Sequence, residues 1–151
     1  MTRTDDRSLH SAGAETLRQQ KTEDLQYRCA FTMRQKSPIY LAIHQNFYAD
    51  TVSHGAQTFY SSKNVGGKSL AEMVQNDLKK VLGAENSRKA APNPNKNYLL
   101  DHLTCPAVIV ECGFLSHPEE EAKLRSADYQ NQLAFSIAMS AMRAIGEGLA
   151  P

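Results

Sequence analysis

Apolar residues recur along this chain with two different spacings, and the spacing predicts its elements. From about Ala14 to Lys36 the spacing is helical: Leu25, Cys29 and Met33 fall four apart on one face. Pro38 closes that stretch, and Ser37 before it favours extended structure. Ile39–His44, IYLAIH, is β-branched and almost continuously apolar, which predicts a strand covered on both faces. Gln45–Gly55 is predicted to be a loop, Ala56–Tyr60 a short strand and Ser61–Lys68 a turn-rich connection. Ser69–Leu82 carries a helical stripe of Leu70, Met73, Val74, Leu78, Val81 and Leu82 that ends at Gly83.

Residues 84–97 are a polar loop holding two prolines, longer than most connections inside a compact domain. Tyr98–Leu103 is predicted to hold a short strand. Ala107–Glu111, AVIVE, is the strongest strand signal in the chain, apolar until its last residue. Pro118–Arg125 reads as a short helix. Asp128 is the expected N-cap of a final helix in which Leu133, Ile137, Ala141 and Ile145 step by four. Strands that alternate with helices and lack a polar face predict an α/β fold, with a largely parallel sheet between two helical layers. No internal repeat or low-complexity tract divides residues 1–151, so one domain is expected.

Composition narrows the function. With 17 Lys and Arg against 16 Asp and Glu, the net charge is +1, which offers no electrostatic footprint for nucleic acid. No apolar run reaches the length of a membrane-spanning helix, so no membrane insertion is expected. Three cysteines without a CxxC pair exclude a disulfide framework and a thiolate zinc site. The polar opening, TRTDDRSLH, is not a signal peptide.

Two strands end in residues capable of chemistry. In α/β sheets, sites gather at the C-terminal ends of strands. IYLAIH ends in His44 and AVIVE in Glu111, so an imidazole and a carboxylate from two strand ends can share one cleft. An imidazole is a common metal ligand, and a carboxylate beside activated water is a common general base. Competing motifs fall away. GGKS at Gly66–Ser69 has Ser62 where a phosphate-binding loop needs its first glycine, so it reads as a turn and a helix start. GxSxG and HExxH are absent. Cys29, Cys105 and Cys112 read as small packed residues; a nucleophilic Cys112 is the rival reading. His54, His102 and His117 read as loop or turn residues.

The segments LAIHQN, GAQTFY, SLAEMVQNDL, NSRKA, PAVIVECGFLSHPEEEAKL and YQNQLAFSIAMSAM, in that order, resemble the zinc-dependent N-acetylmuramoyl-L-alanine amidases of bacterial cell walls. RQQKTEDL and GAQTFY look like the spore-cortex, germination-type branch. The resemblance implies a mixed, largely parallel sheet with helices on both faces. It implies hydrolysis of the amide between N-acetylmuramic acid and L-alanine in peptidoglycan, outside the cytoplasmic membrane. It implies Zn²⁺ held by two His and a Glu, with a separate catalytic Glu. On this chain His44 matches a zinc-ligand His, Glu111 the catalytic Glu, and Arg88 a loop arginine that would hold a substrate carboxylate or orient the cleft, with a solvated loop arginine as the rival reading. His117 stands where the family usually has Asn.

The family's first strand, its His-containing glycine-rich turn and its first helix with a ligand Glu would precede TRTDD, and none of them is in this sequence. His10 and Glu15 follow TRTDD and do not match those ligands. The expectation is therefore an N-terminally incomplete catalytic domain, with Met1 an internal methionine, that binds zinc poorly and is largely inactive as it stands. The alternative is a degenerate amidase fold that grips cell wall without cutting it.

Overall fold

A computed structural model describes residues 1–2, 4–83 and 85–149. In chain order the elements are α1 (Leu17–Met33), β1 (Tyr40–Asn46), β2 (Gln57–Tyr60), α2 (Val65–Leu82), β3 (Ala91–Pro92), α3 (Tyr98–His102), β4 (Ala107–Phe114), α4 (Pro118–Leu124) and α5 (Ala127–Gly146). The four strands form one sheet in the order β1-β4-β2-β3. β1 runs parallel to β4 and β2 parallel to β3, while β2 and β4 are antiparallel. The sheet is thus mixed and mostly parallel, as the sequence predicts.

Two apolar clusters cover its two faces. On one, Val108, Val110 and Cys112 of β4 pack with Leu70, Val74 and Leu78 of α2 and Leu133 and Ile137 of α5. On the other, Tyr40, Ala107 and Ile109 pack with Leu99 and Leu100 of α3, and Leu25 and Cys29 of α1 lie against them. The alternation along β4 sends successive side chains to opposite faces, so one strand supplies both clusters. A buried amide ties the first layer to β2. Gln75 of α2 accepts from the Thr58 backbone N–H at 2.7 Å and donates to the Ala56 carbonyl at 3.0 Å.

Several elements differ from the sequence expectation, each for a local reason. Ile39–His44 is not covered on both faces. Among the described residues β1 pairs only with β4, and Ile43 is 51% exposed. Tyr98–His102 is a helix rather than a strand, because the Asn97 side chain accepts from the Leu100 backbone N–H and closes a turn. α2 begins at Val65, four residues early, because Asn64 accepts from the Gly67 N–H at 2.7 Å. GGKS therefore lies in the first turns of α2 and forms no phosphate loop. A Cβ at Gly67 would stand 2.9 Å from the Ala107 carbonyl oxygen, so glycine allows α2 to start against β4. Ser126, not Asp128, precedes α5 as its N-cap residue, and α1 is capped by a Thr16–Gln19 box rather than opening at Ala14. The predicted loop over 84–97 contains the two-residue β3, and Ala84 lies outside the described residues.

Candidate functional site at the ends of the parallel strands

Strand pairing assembles the site. His44 of β1 stands opposite Glu111 of β4, and Glu111 stands opposite Gln57 of β2. Residues paired directly across neighbouring strands point to the same face, so His44, Glu111 and Gln57 form a row across three strands. The row lies where the β1–β4 ladder shifts register: His44 pairs with Glu111 but Asn46 with Phe114. The extra residue on β4 is a bulge, a device that re-aims neighbouring side chains. Gly113 within it has φ +156°, and a Cβ there would meet the Glu120 carboxylate at 3.3 Å.

Glu111 is half-buried, and its Oε2 is buried without a hydrogen-bond partner among the described residues. Burial pushes its pKa above the ordinary carboxylate value, and the nearby His44 charge partly opposes the rise. His44 itself is exposed. A cleft of about 730 Å³ borders the outer edge of β1, bounded by Met1, Arg28, Phe31 and the run from Pro38 to His44.

Arg88 reaches the row through Gln57. Its Nη1 donates to Gln57 Oε1 at 3.3 Å, its Nε donates to the His54 carbonyl at 2.8 Å, and the guanidinium lies 4.9 Å from the centre of the Phe114 ring. Cation–π contact and two hydrogen bonds fix a side chain that is otherwise long and mobile. The three residues singled out in the sequence, His44, Glu111 and Arg88, thus lie along one row across the sheet, Arg88 by way of Gln57.

Sequence reasoning missed two supporting residues. Gln57 is one, and the pairing of β2 with β4 alone brings it beside Glu111. Glu120 is the other: its Oε1 accepts from the Gly55 N–H and its Oε2 from the Phe114 N–H, both at 2.8 Å. It ties the exit of β4 to the approach of β2. Its place three residues after His117, the N-cap of α4, was the only available signal.

The remaining candidates behave as packed or structural groups. Cys112 is buried, and its thiol is pushed up to about 11, chiefly by burial and further by Glu111, so it is a poor nucleophile. Cys105 is buried and Cys29 half-buried, and burial raises both thiols. His117 caps α4, its ring nitrogen taking the Glu120 N–H at 3.4 Å, while His54 and His102 are exposed and bond backbone carbonyls. Among the described residues no three His, Cys, Asp or Glu side chains are grouped to hold a metal ion. No helix among them is long and apolar enough to cross a membrane.

Comparison with known proteins identifies the family and the fold. The germination-specific N-acetylmuramoyl-L-alanine amidase of Bacillus subtilis (strain 168) is 32% identical over 143 residues, covering 95% of this chain. The chain spans 60% of the length of that relative. The CwlD amidase of Clostridioides difficile, solved in complex with the GerS lipoprotein, superposes with a TM-score of 0.87 at 32% identity, over 96% of this chain and 74% of that one. An N-acetylmuramoyl-L-alanine amidase from Clostridium difficile 630 superposes at 0.72 with 28% identity, over 81% of this chain and 65% of that one. The family profile described as N-acetylmuramoyl-L-alanine amidase matches residues 1–143, and the chain belongs to that family.

Proposed function

We propose that this chain, as one catalytic unit, acts on peptidoglycan outside the cytoplasmic membrane, at the amide that joins N-acetylmuramic acid to L-alanine. The observation that carries the reading is Glu111, a half-buried carboxylate with one unpartnered oxygen, facing His44 across the β1–β4 ladder. Glu111 takes a proton from the attacking water and delivers it to the departing alanine nitrogen. Its raised pKa suits both halves of that task, since the group must be basic enough to accept the proton and then hold it. Gln57 and the anchored guanidinium of Arg88 lie along the same row, where Arg88 is suited to a substrate carboxylate.

The family's Zn²⁺ needs three protein ligands beside an open position. His44 is the one ligand that the described residues offer, so they do not complete a zinc site, and no step is assigned to the metal here. The 151-residue chain is accordingly expected to bind zinc weakly and to cut slowly. A wall-binding fold without catalysis is the second reading, opposed by Glu111, which a pure binder does not need.

The test is amine release from purified cell wall, alongside metal analysis. Glu111→Gln is expected to abolish whatever release the chain shows and to leave wall binding intact. Undiminished release by Glu111→Gln would remove that residue from the mechanism. One tightly held zinc per chain would overturn the weak-binding expectation, and wall binding without any release would favour the second reading.

A further inference from the structure

The loop that follows His44 carries apolar side chains that the fold does not use. Phe47 is 70% exposed, Tyr48 61% and Val52 74%. Leu115, exposed on the neighbouring turn after β4, adds a fourth. Isolated exposed apolar residues need no explanation, but here four lie on two segments that a backbone hydrogen bond joins.

The loop is also held in place. Asn46 Oδ1 accepts from the Phe47 N–H at 2.9 Å, and Ser116 Oγ accepts from the Tyr48 N–H at 3.1 Å. The Asn46 carbonyl accepts from the Leu115 N–H at 2.8 Å, which locks the two turns together. Further along, Asp50 Oδ1 accepts from the Val52 and Ser53 N–H groups at 3.0 and 2.7 Å. Those bonds, the Ser53 one first, hold the Asp50 carboxyl below its ordinary pKa, while burial opposes them. The His54 carbonyl is fixed by Arg88. Aromatic side chains on a loop tied at both ends and in the middle are organised before a ligand arrives, which lowers the ordering cost of binding.

We propose that Phe47 and Tyr48, with Val52 and Leu115, form a glycan-binding rim that seats an N-acetylated hexosamine beside Glu111. This inference rests on the amidase reading. The amide to be cut hangs from the sugar through the short lactyl group, so a sugar ring must lie within a few bonds of Glu111. Phe47 and Tyr48 are three and four residues beyond His44, which faces Glu111. The C–H face of a pyranose packs on an aromatic face, and its hydroxyl and acetamido groups need polar neighbours. Asn46 at the end of β1 and Asp50 and Ser53 on the loop supply such neighbours.

The chain has no tryptophan, so Tyr48→Trp places a single fluorescent reporter in the rim. Titration with a soluble N-acetylglucosamine hexamer is expected to shift its emission. In that background Phe47→Ala is expected to weaken binding roughly tenfold, with an unchanged circular dichroism spectrum. Sedimentation of Phe47→Ala and Tyr48→Ala with peptide-stripped wall glycan should fall in parallel. Glycan binding unaffected by both alanine variants, or binding of peptide-bearing fragments but not of stripped glycan, overturns the rim and leaves the amidase reading standing. Aromatic-dependent glycan binding with release of new reducing sugar ends in place of amine retains the rim and removes the amidase reading.

Discussion

β4 and β1 are parallel neighbours with nearly the same apolar run, and they live in different environments. β4 is buried along its length apart from Glu111, whereas β1 becomes exposed from Ile43 onward. The difference is the number of neighbours: among the described residues β4 has strands on both sides and β1 has one. An apolar strand is therefore a necessary sign of a central position but not a sufficient one. The contrast extends to chemistry. The interior strand supplies the carboxylate whose pKa burial can raise, and the edge strand presents an imidazole open to the cleft.

The comparison is broken most easily on the packed side. Leu70 of α2 is fully buried against β4, and Leu70→Ala should cost about 2–5 kcal/mol through lost transfer energy and the cavity left behind. Denaturant unfolding measures it; a loss below about 1 kcal/mol would mean that the core on this side is looser than its burial indicates.

A smaller effect is expected from the clamp that joins α2 to α5. Asp77 accepts from Ser140 Oγ at 2.8 Å, Arg143 Nη2 at 2.7 Å and Lys80 Nζ at 2.9 Å. Burial alone would raise its pKa, and these hydrogen bonds together outweigh burial and hold it below the usual carboxylate value. A depressed folded pKa gives stability that is fully present above the unfolded value near about 4 and is lost as pH falls through the folded one. Asp77→Asn should cost about 1–2 kcal/mol at neutral pH. It should also flatten the acid limb of the stability curve below about pH 4. An unchanged acid limb in thermal melts would place the wild type's acid sensitivity elsewhere.

The smallest effect belongs to the edge. Ile43→Thr should change stability by less than about 0.5 kcal/mol, because the side chain is already half in water and threonine keeps the β-branch. A cost comparable to that of Leu70→Ala would show that the edge is covered in solution and would erase the contrast between the two strands.

Much of this was legible in order along the chain. The core helices announced themselves by periodicity, β4 by its unbroken apolar run, and His44 and Glu111 as the polar residues that close those apolar runs, although β1 and β4 continue past them to Asn46 and Phe114. The short elements were not legible. YLLDH is five residues, too few for period to separate helix from strand, and the Asn97 cap decided it. Asn64 likewise moved the start of α2 by satisfying an orphan backbone donor, which no apolar spacing records.

What the sequence determined by itself was local: where the long helices and the two apolar strands run, and that the three cysteines are packing groups, though not where the strands end, since β1 continues to Asn46 and β4 to Phe114. Tertiary structure alone decided who stands beside whom. The register of β4 with β1 and β2 put Glu111 between His44 and Gln57, the 88-to-57 contact brought Arg88 to that row, and Glu120 closed it from a helix 65 residues beyond Gly55. Periodicity reports the face that a residue takes within its own element. Pairing and burial depend on contacts between segments far apart in the chain, and they set the exposure of β1 and the raised pKa of Glu111.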